Sequence, residues 1–304
     1  MDAFAEFLQA KYALDQRSLN PDVWRRFLNE ISVRNPLDLL DVGTGTGSML
    51  RRILGNSDNG VMRLTGLDIE SGLLDIAEKE ITNLLQSKGF SVENGAGRLS
   101  AVNDEDRIEF QRVCTPLTDF RSALNCFDII TAHAFMDLVP LQQTLAGFYF
   151  RLKPGGLFYA TINYDGETVL FPPYPDSEFE DALLHCYDAS MEARRLNGSE
   201  TGGAKCGRRL YGELLNAGFE IVCYGSSDWN ITPCDGAYLD DDHIVLDRLL
   251  GWIHSEGRNN PELDPEKLDR WLACRRRQLQ MQMLGIIVHQ IDVLARKLAR
   301  TVSI

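Results

Sequence analysis

The sequence predicts an α/β fold: a doubly wound, mostly parallel sheet of seven strands with helices on both faces. Three observations predict it. Short apolar runs alternate with helical patterns from Leu37 onward, and a glycine-rich turn joins the first run to the first helix. Two long helical stretches break this rhythm only after the fifth run and again after the sixth.

The first 31 residues read as two helices. Asn20 caps the second and Pro21 takes its first position, and Val23, Trp24, Phe27, Leu28 and Ile31 share one face. Strand Leu37–Val42 follows, then a helix from Ser48 to Leu54, strand Arg63–Leu67 and helix Gly72–Gln86. A polar, glycine-containing spacer, Ser91–Glu105, leads into strand Arg107–Val113. Phe127–Ala132 is an apolar run and hence a fourth buried strand, Leu141–Leu152 a helix, "KPGG" a turn and Leu157–Asn163 a fifth strand. Helix Arg208–Asn216 and strand Phe219–Tyr224 resume the alternation. A helical stretch from Tyr238 to about Gln280 then precedes a last strand, Gly285–Leu294.

The expected organisation is one domain over 1–304, with N-terminal helices over a cofactor (1–35) and a binding core (36–163, resumed at 207–228). Inserts at 164–206 and 229–281 would form a helical lid, because both follow strands that end on the ligand side of a parallel sheet. The last strand and tail would occupy 282–304.

Composition narrows the function classes. An apolar share of 44% and a charged share of 25% are ordinary for a globular protein. A net charge of −13 speaks against nucleic acid as a partner, since phosphate backbones need a basic surface. No apolar run approaches the roughly 18 residues of a spanning helix, so no membrane partner is expected. The N-terminus carries acids where a secretory signal carries Lys or Arg. The seven cysteines are scattered and never spaced as a metal-binding pair; free thiols in a cytoplasmic protein without a metal are expected. "RRR" at Arg275–Arg277, within a lid helix, reads as a solvated face.

The glycine turn, "LLDVGTGTGSML", places Gly43, Gly45 and Gly47 between a buried strand and a helix. Such glycines let the chain turn tightly and let a ligand approach bare backbone. The spacing lacks the third glycine of a dinucleotide fingerprint, where Ser48 stands, and the Lys of a phosphate loop. Asp68 ends the second strand and offers two oxygens side by side, suited to the ribose hydroxyls of an adenosine; capping the next helix is its other reading. Asp41 either meets a cationic amine of the ligand or braces the loop.

"LLDVGTGTG", "LTGLDIESGLLDIAEK", "FDIITAHAFMDLV" and "RLKPGGLFYATINY", in this order, resemble the class I S-adenosylmethionine-dependent methyltransferases. The similarity is good over about Leu37–Tyr164 and looser through "GRRLYGELLNAGFEIV" and "GIIVHQIDVLARK", which is similar to the family's final antiparallel strand. The resemblance implies S-adenosyl-L-methionine as cofactor. Asp41, Gly43, Gly45 and Gly47 would line its methionine part, Asp68 its ribose and Ile69 its adenine. Cys114 and Thr115 would lie beside the adenine, Cys114 where many members carry an acid. His133 would touch both the methionine part and the acceptor, and Asp137 stands where related sequences often have His. In similar enzymes the N-terminal helices fold over the cofactor, so Tyr12 or Arg17 would reach its carboxylate.

The implied reaction is methyl transfer to a small-molecule acceptor by a monomer or homodimer. Catalytic candidates are His133, Asp228 and Tyr164, with Asp165, His185, Tyr187, Arg194 and Trp229 behind them. His133 would serve either as a base or as a group that orients the acceptor. Two other readings stay open: a non-catalytic module that binds the cofactor, and a NAD-dependent oxidoreductase.

Overall fold

A computed structural model describes residues 3–57, 60–95 and 97–298. Two helices open the chain, α1 (Ala3–Ser18) and α2 (Pro21–Ile31), and the Asn20 side chain caps α2 by accepting from the amides of Asp22 and Val23. The alternation then runs β1 (Leu37–Val42), α3 (Ser48–Asn56), β2 (Val61–Asp68) and α4 (Ser71–Ser87). A hairpin of β3 (Ser91–Gly95) and β4 (Arg98–Val102) precedes β5 (Arg107–Cys114). Next come β6 (Phe127–His133), a 3₁₀ turn at Met136–Leu138, α5 (Leu141–Arg151) and β7 (Leu152–Phe171). The second half holds α6 (Ser177–Glu192), the short pair β8 (Arg195–Leu196) and β9 (Ser199–Glu200), α7 (Cys206–Asn216), β10 (Phe219–Ser226) and β11 (Trp229–Ile231). Helices α8 (Asp242–Arg258) and α9 (Pro265–Gln280) and strand β12 (Gly285–Lys297) close it.

The main sheet has the order β10-β12-β7-β6-β1-β2-β5-β4-β3, with β11 also paired to β12. Its central pairs are parallel, while β12 runs antiparallel to both β7 and β10. The seven expected strands are thus all present, and the last is antiparallel. The sheet has ten strands, because the spacer Ser91–Glu105 holds the β3–β4 hairpin and β11 adds to the other end. Among the described residues that hairpin buries only Leu99 and Ala101, which is why its sequence reads as polar spacer.

Strand β7 also runs past the expected end at Asn163, to Phe171. "YDGET" looks like a turn, but three residues, Asp165 to Glu167, bulge opposite His289 while Tyr164 pairs with Gln290 and Thr168 with Val288. A partner strand more than a hundred residues later overrides the local turn signal. The first insert therefore begins after Phe171.

Both sheet faces are covered. Val23, Phe27, Met49, Ile53, Ile81 and Leu85 pack α2, α3 and α4 on one face. Leu145, Phe148, Leu210 and Leu214 pack α5 and α7 on the other. A third core joins α1, α6, α8 and α9 to the ends of β7, β11 and β12 through Phe7, Leu14, Leu183, Leu250, Trp271 and Ile286. Glu180 of α6 ties this group together. It accepts from Arg275 in a fork at 2.5–2.9 Å and from the Trp271 indole at 2.7 Å, all buried. The expectation of a solvated "RRR" is corrected for Arg275, which is fully buried against Glu180, while Arg276 and Arg277 are exposed, Arg276 pairing with Asp247 of α8.

Candidate active site

A cavity of about 1820 Å³ lies at the C-terminal ends of β1, β2, β6 and β7 and extends beneath α1, α6 and α8. Its near end is the loop after β1. Gly43 and Gly47 have φ of 66° and 77°, values that disfavour any side chain. A Cβ on Gly43 would collide with the Phe135 ring, and one on Gly47 would press at 3.0 Å on Ala77 of α4. Gly43 and Gly45 line the cavity, whereas Gly47 sits behind them at the start of α3. Leu8 of α1 lies over Gly45.

Asp68 ends β2 at the cavity wall. Its Oδ2 accepts from the Gly45 amide at 2.8 Å and its Oδ1 from the Glu70 amide at 3.0 Å, so both oxygens are held in place with lone pairs to spare. Ile69 next to it is 64% exposed and lines the cavity with Thr115. Cys114 is not among the lining residues; its thiol donates to the Ile69 carbonyl at 3.4 Å.

Asp41 stands behind the loop. It is buried, accepts from the Thr131 hydroxyl at 2.6 Å and is absent from the cavity wall, so its geometry is that of a brace between β1 and β6. Burial pushes its carboxyl up to about 7, against the pull of Thr131 and Thr44.

His133 ends β6 and lines the cavity, but both ring nitrogens are engaged. Nε2 is 2.9 Å from Asp15 of α1 and Nδ1 is 2.7 Å from the Thr161 hydroxyl. An ionised carboxylate only accepts, so Nε2 carries the hydrogen and Nδ1 takes the Thr161 proton. Burial and the nearby Lys11 bring the imidazole down to about 4, which outweighs the pull of Asp15. Asp15 also pairs with Lys11 and accepts from the Trp229 indole at 3.0 Å. Burial alone would raise its carboxyl, yet Lys11, His133 and Arg52 hold it far below the usual range. Arg52 of α3 is likewise buried; it donates to the Tyr12 carbonyl at 2.8 Å and the Gln16 side chain at 3.1 Å.

The two residues expected to reach the cofactor's carboxylate from the N-terminal segment are placed differently. Arg17 pairs with Asp242 and Asp240 of the α8 end, and Tyr12 offers its ring to Arg51 and Arg52; neither lines the cavity. Lys11, one helical turn from Asp15, does line it. Of the two N-terminal helices only α1 reaches the cavity, because α2 packs on the sheet face.

At the far end, Tyr164 lines the cavity and donates to Asp188 at 2.7 Å, with Thr168 at 3.0 Å. Burial holds its phenol protonated, well above the ordinary value. Tyr187, Arg194 and Trp229 also line the cavity, and Arg194 is 3.6 Å from Asp137, whose carboxyl burial raises. Asp228 is a correction. Its carboxylate faces His289 at 2.8 Å and the Gln290 amide at 3.2 Å, outside the cavity, because Ser226 ends β10 and the chain turns there into β11. Asp165 pairs with Arg208, and neither it nor His185 is on the wall. Among the described residues no cluster could hold a metal ion, and no helix is long and apolar enough to cross a membrane.

Sequence reasoning missed Lys11, Asp15, Arg52 and Asp292. Asp292 holds Ile162, a cavity residue with φ of 55°, by accepting its amide at 2.8 Å. A β-branched residue in that region is an outlier that only surrounding structure sustains.

Residues 40–160 match the family model described as a methyltransferase domain. No curated protein matches the chain. A provisionally assigned methyltransferase from Bacillus halodurans C-125 is 14% identical with a TM-score of 0.52, covering 92% of this chain and 100% of its own. An S-adenosylmethionine-dependent methyltransferase from Methanosarcina mazei is 15% identical with a TM-score of 0.46, covering 93% and 99%. The YcgJ protein of Bacillus subtilis is 14% identical with a TM-score of 0.47, covering 92% and 99%. The first of these likenesses shows a shared fold, and the matched residues contain the glycine loop and Asp68. Over residues 40–160, which hold the glycine loop and the ends of β2 and β6, the chain is similar to a methyltransferase domain.

Proposed function

We propose that the protein transfers a methyl group from S-adenosylmethionine to a small-molecule acceptor, both held in the one cavity. The observation that carries this reading is its size and continuity. At about 1820 Å³ it exceeds the roughly 300–1,000 Å³ of an ordinary ligand pocket, and it joins the glycine loop to the underside of α8.

The residues present fit the cofactor. Gly43 and Gly45 present bare backbone to the cavity where the methionine part would lie, and Asp68 presents two fixed oxygens to the ribose hydroxyls. Ile69 and Thr115 flank the adenine, and Lys11 takes the place proposed for Arg17 opposite the carboxylate. When bound, the cofactor supplies an electrophilic methyl group on a sulfonium. The protein's remaining task is to hold the acceptor in line and exclude water. His133 has no free nitrogen for an acceptor proton; we assign it to anchoring α1 across the cavity through Asp15. For an acceptor that must lose a proton, Asp137 is the carboxylate at hand.

Helices α6, α8 and α9 form the proposed lid, since α6 and α8 contribute Tyr187, Met191, Trp252 and Glu256 to the wall. All seven cysteines are free, which suits a reducing cytoplasm. Incubation with a methyl-labelled cofactor and a panel of small molecules tests the reading. Label appearing in an acceptor supports it; cofactor binding without transfer to any member would favour a binding module instead.

A further inference from the structure

The deep end of the cavity has a chemical character of its own. Its floor is a patch of sheet on which Tyr164 pairs with Gln290 and Thr168 with Val288, so that these side chains share a face. The wall also carries large apolar side chains partly left in water: Phe4 is 48% exposed and Trp252 37%. Phe7 lies between them, edge-on to Trp252 at 4.6 Å and stacked near Phe4 at 6.5 Å. Aromatic side chains left partly in water on a cavity wall suit a ligand with apolar surface to bury.

Arg194 stands beside Asp137 at this end, so that cation is already paired, and Glu256 on the wall has no ion-pair partner among the described residues. The charge there is arranged against an anion.

One polar group is left over. Gln290 is 4% exposed, and its Oε1 is buried without a hydrogen-bond partner among the described residues. Leaving an amide oxygen so costs on the order of 1–3 kcal/mol, a cost that a ligand's N–H or O–H removes. The last torsion of a Gln is soft, so a small turn presents the oxygen to the cavity. Tyr164, opposite on β7, already uses its hydroxyl hydrogen in the bond it donates to Asp188.

We propose that the acceptor is an uncharged, largely apolar molecule bearing a hydrogen-bond donor, and that Gln290 reads this donor. The identification of the bound molecule as an acceptor rests on the methyl-transfer reading above. The affinity pattern does not.

The test uses the full-length protein with S-adenosylhomocysteine present and N-phenyl-1-naphthylamine as probe, an uncharged aromatic with a single N–H whose fluorescence rises in apolar surroundings. Saturable binding is expected, with the anionic anilinonaphthalene sulfonate at least tenfold weaker. In competition, 1-phenoxynaphthalene, which replaces the N–H by an ether oxygen, should bind about five- to tenfold more weakly than the amine. Gln290→Leu should erase that preference while calorimetric affinity for S-adenosylhomocysteine stays within about threefold. Equal binding of amine and ether by the wild-type protein, or tighter binding of the sulfonate, would overturn the inference without any variant. Loss of S-adenosylhomocysteine binding by the wild-type protein would instead overturn the methyl-transfer reading.

Discussion

Nε2 of His133 and Oδ2 of Asp15 lie 2.9 Å apart, both buried, and this contact ties the first helix to the end of the fourth core strand across 118 residues of sequence. It fixes the tautomer of the imidazole and removes it from proton transfer.

The imidazole should therefore stay neutral through the range where a free histidine titrates. Its folded value is lowered from 6.5 to about 4, so its contribution to stability is present above 6.5 and is lost as pH falls toward 4. The full effect is on the order of 3 kcal/mol. Carbon chemical shifts of the His133 ring, followed from pH 8 to 4, check this; a midpoint at or above 6.5 would contradict it.

Asp15 balances Lys11 and Arg52, both buried. Asp15→Ala leaves those cations unpaired and should cost about 3–5 kcal/mol in denaturant unfolding. A loss below about 1 kcal/mol would mean that water reaches the cluster.

Asp41 carries the opposite sign of pH dependence. Its folded value is raised from 3.8 to about 7, so stability from this group is full below 3.8 and declines as pH rises through 7. Asp41→Asn keeps an acceptor for Thr131 and never ionises. Without ligand it should match the wild type at pH 4 and exceed it by roughly 2–4 kcal/mol at pH 8. Equal unfolding free energies at both pH values would show that the carboxylate is better solvated than its burial implies.

Lys11 and Arg17 form a matched pair of tests. Lys11→Met should weaken S-adenosylhomocysteine binding about tenfold or more, as removal of a charged partner does. Arg17→Met, which removes a contact to Asp242 outside the cavity, should leave that affinity within about twofold. The reverse result would restore Arg17 to the site.

The sheet core and cofactor end were legible because local signals agreed: apolar runs, a glycine turn in strand–helix context, and an acid at the next strand end. The rest depended on residues distant in sequence. Ser91–Gly95 and Arg98–Val102 are edge strands with few buried residues, so no apolar pattern announced them. Asp15 and Lys11 are charged residues in a helix of weak amphipathicity, and nothing local says that they face a buried histidine. Asp228 looked pocket-bound from its place after a strand, yet the chain turns there and hands the wall to Trp229 and Gln290. Arg275 read as surface because its partner, Glu180, lies 95 residues away.

The most direct measurement is calorimetric titration of the wild-type protein and Asp68→Ala with S-adenosylmethionine, alongside NAD. The wild type should bind the first and not the second. Asp68→Ala, folded as judged by an unchanged circular dichroism spectrum, should lose about 2 kcal/mol, roughly thirtyfold in affinity, since a charged acceptor to two hydroxyls is removed. Equal affinity in the two proteins, or binding of NAD in place of S-adenosylmethionine, would contradict the assignment of this cavity.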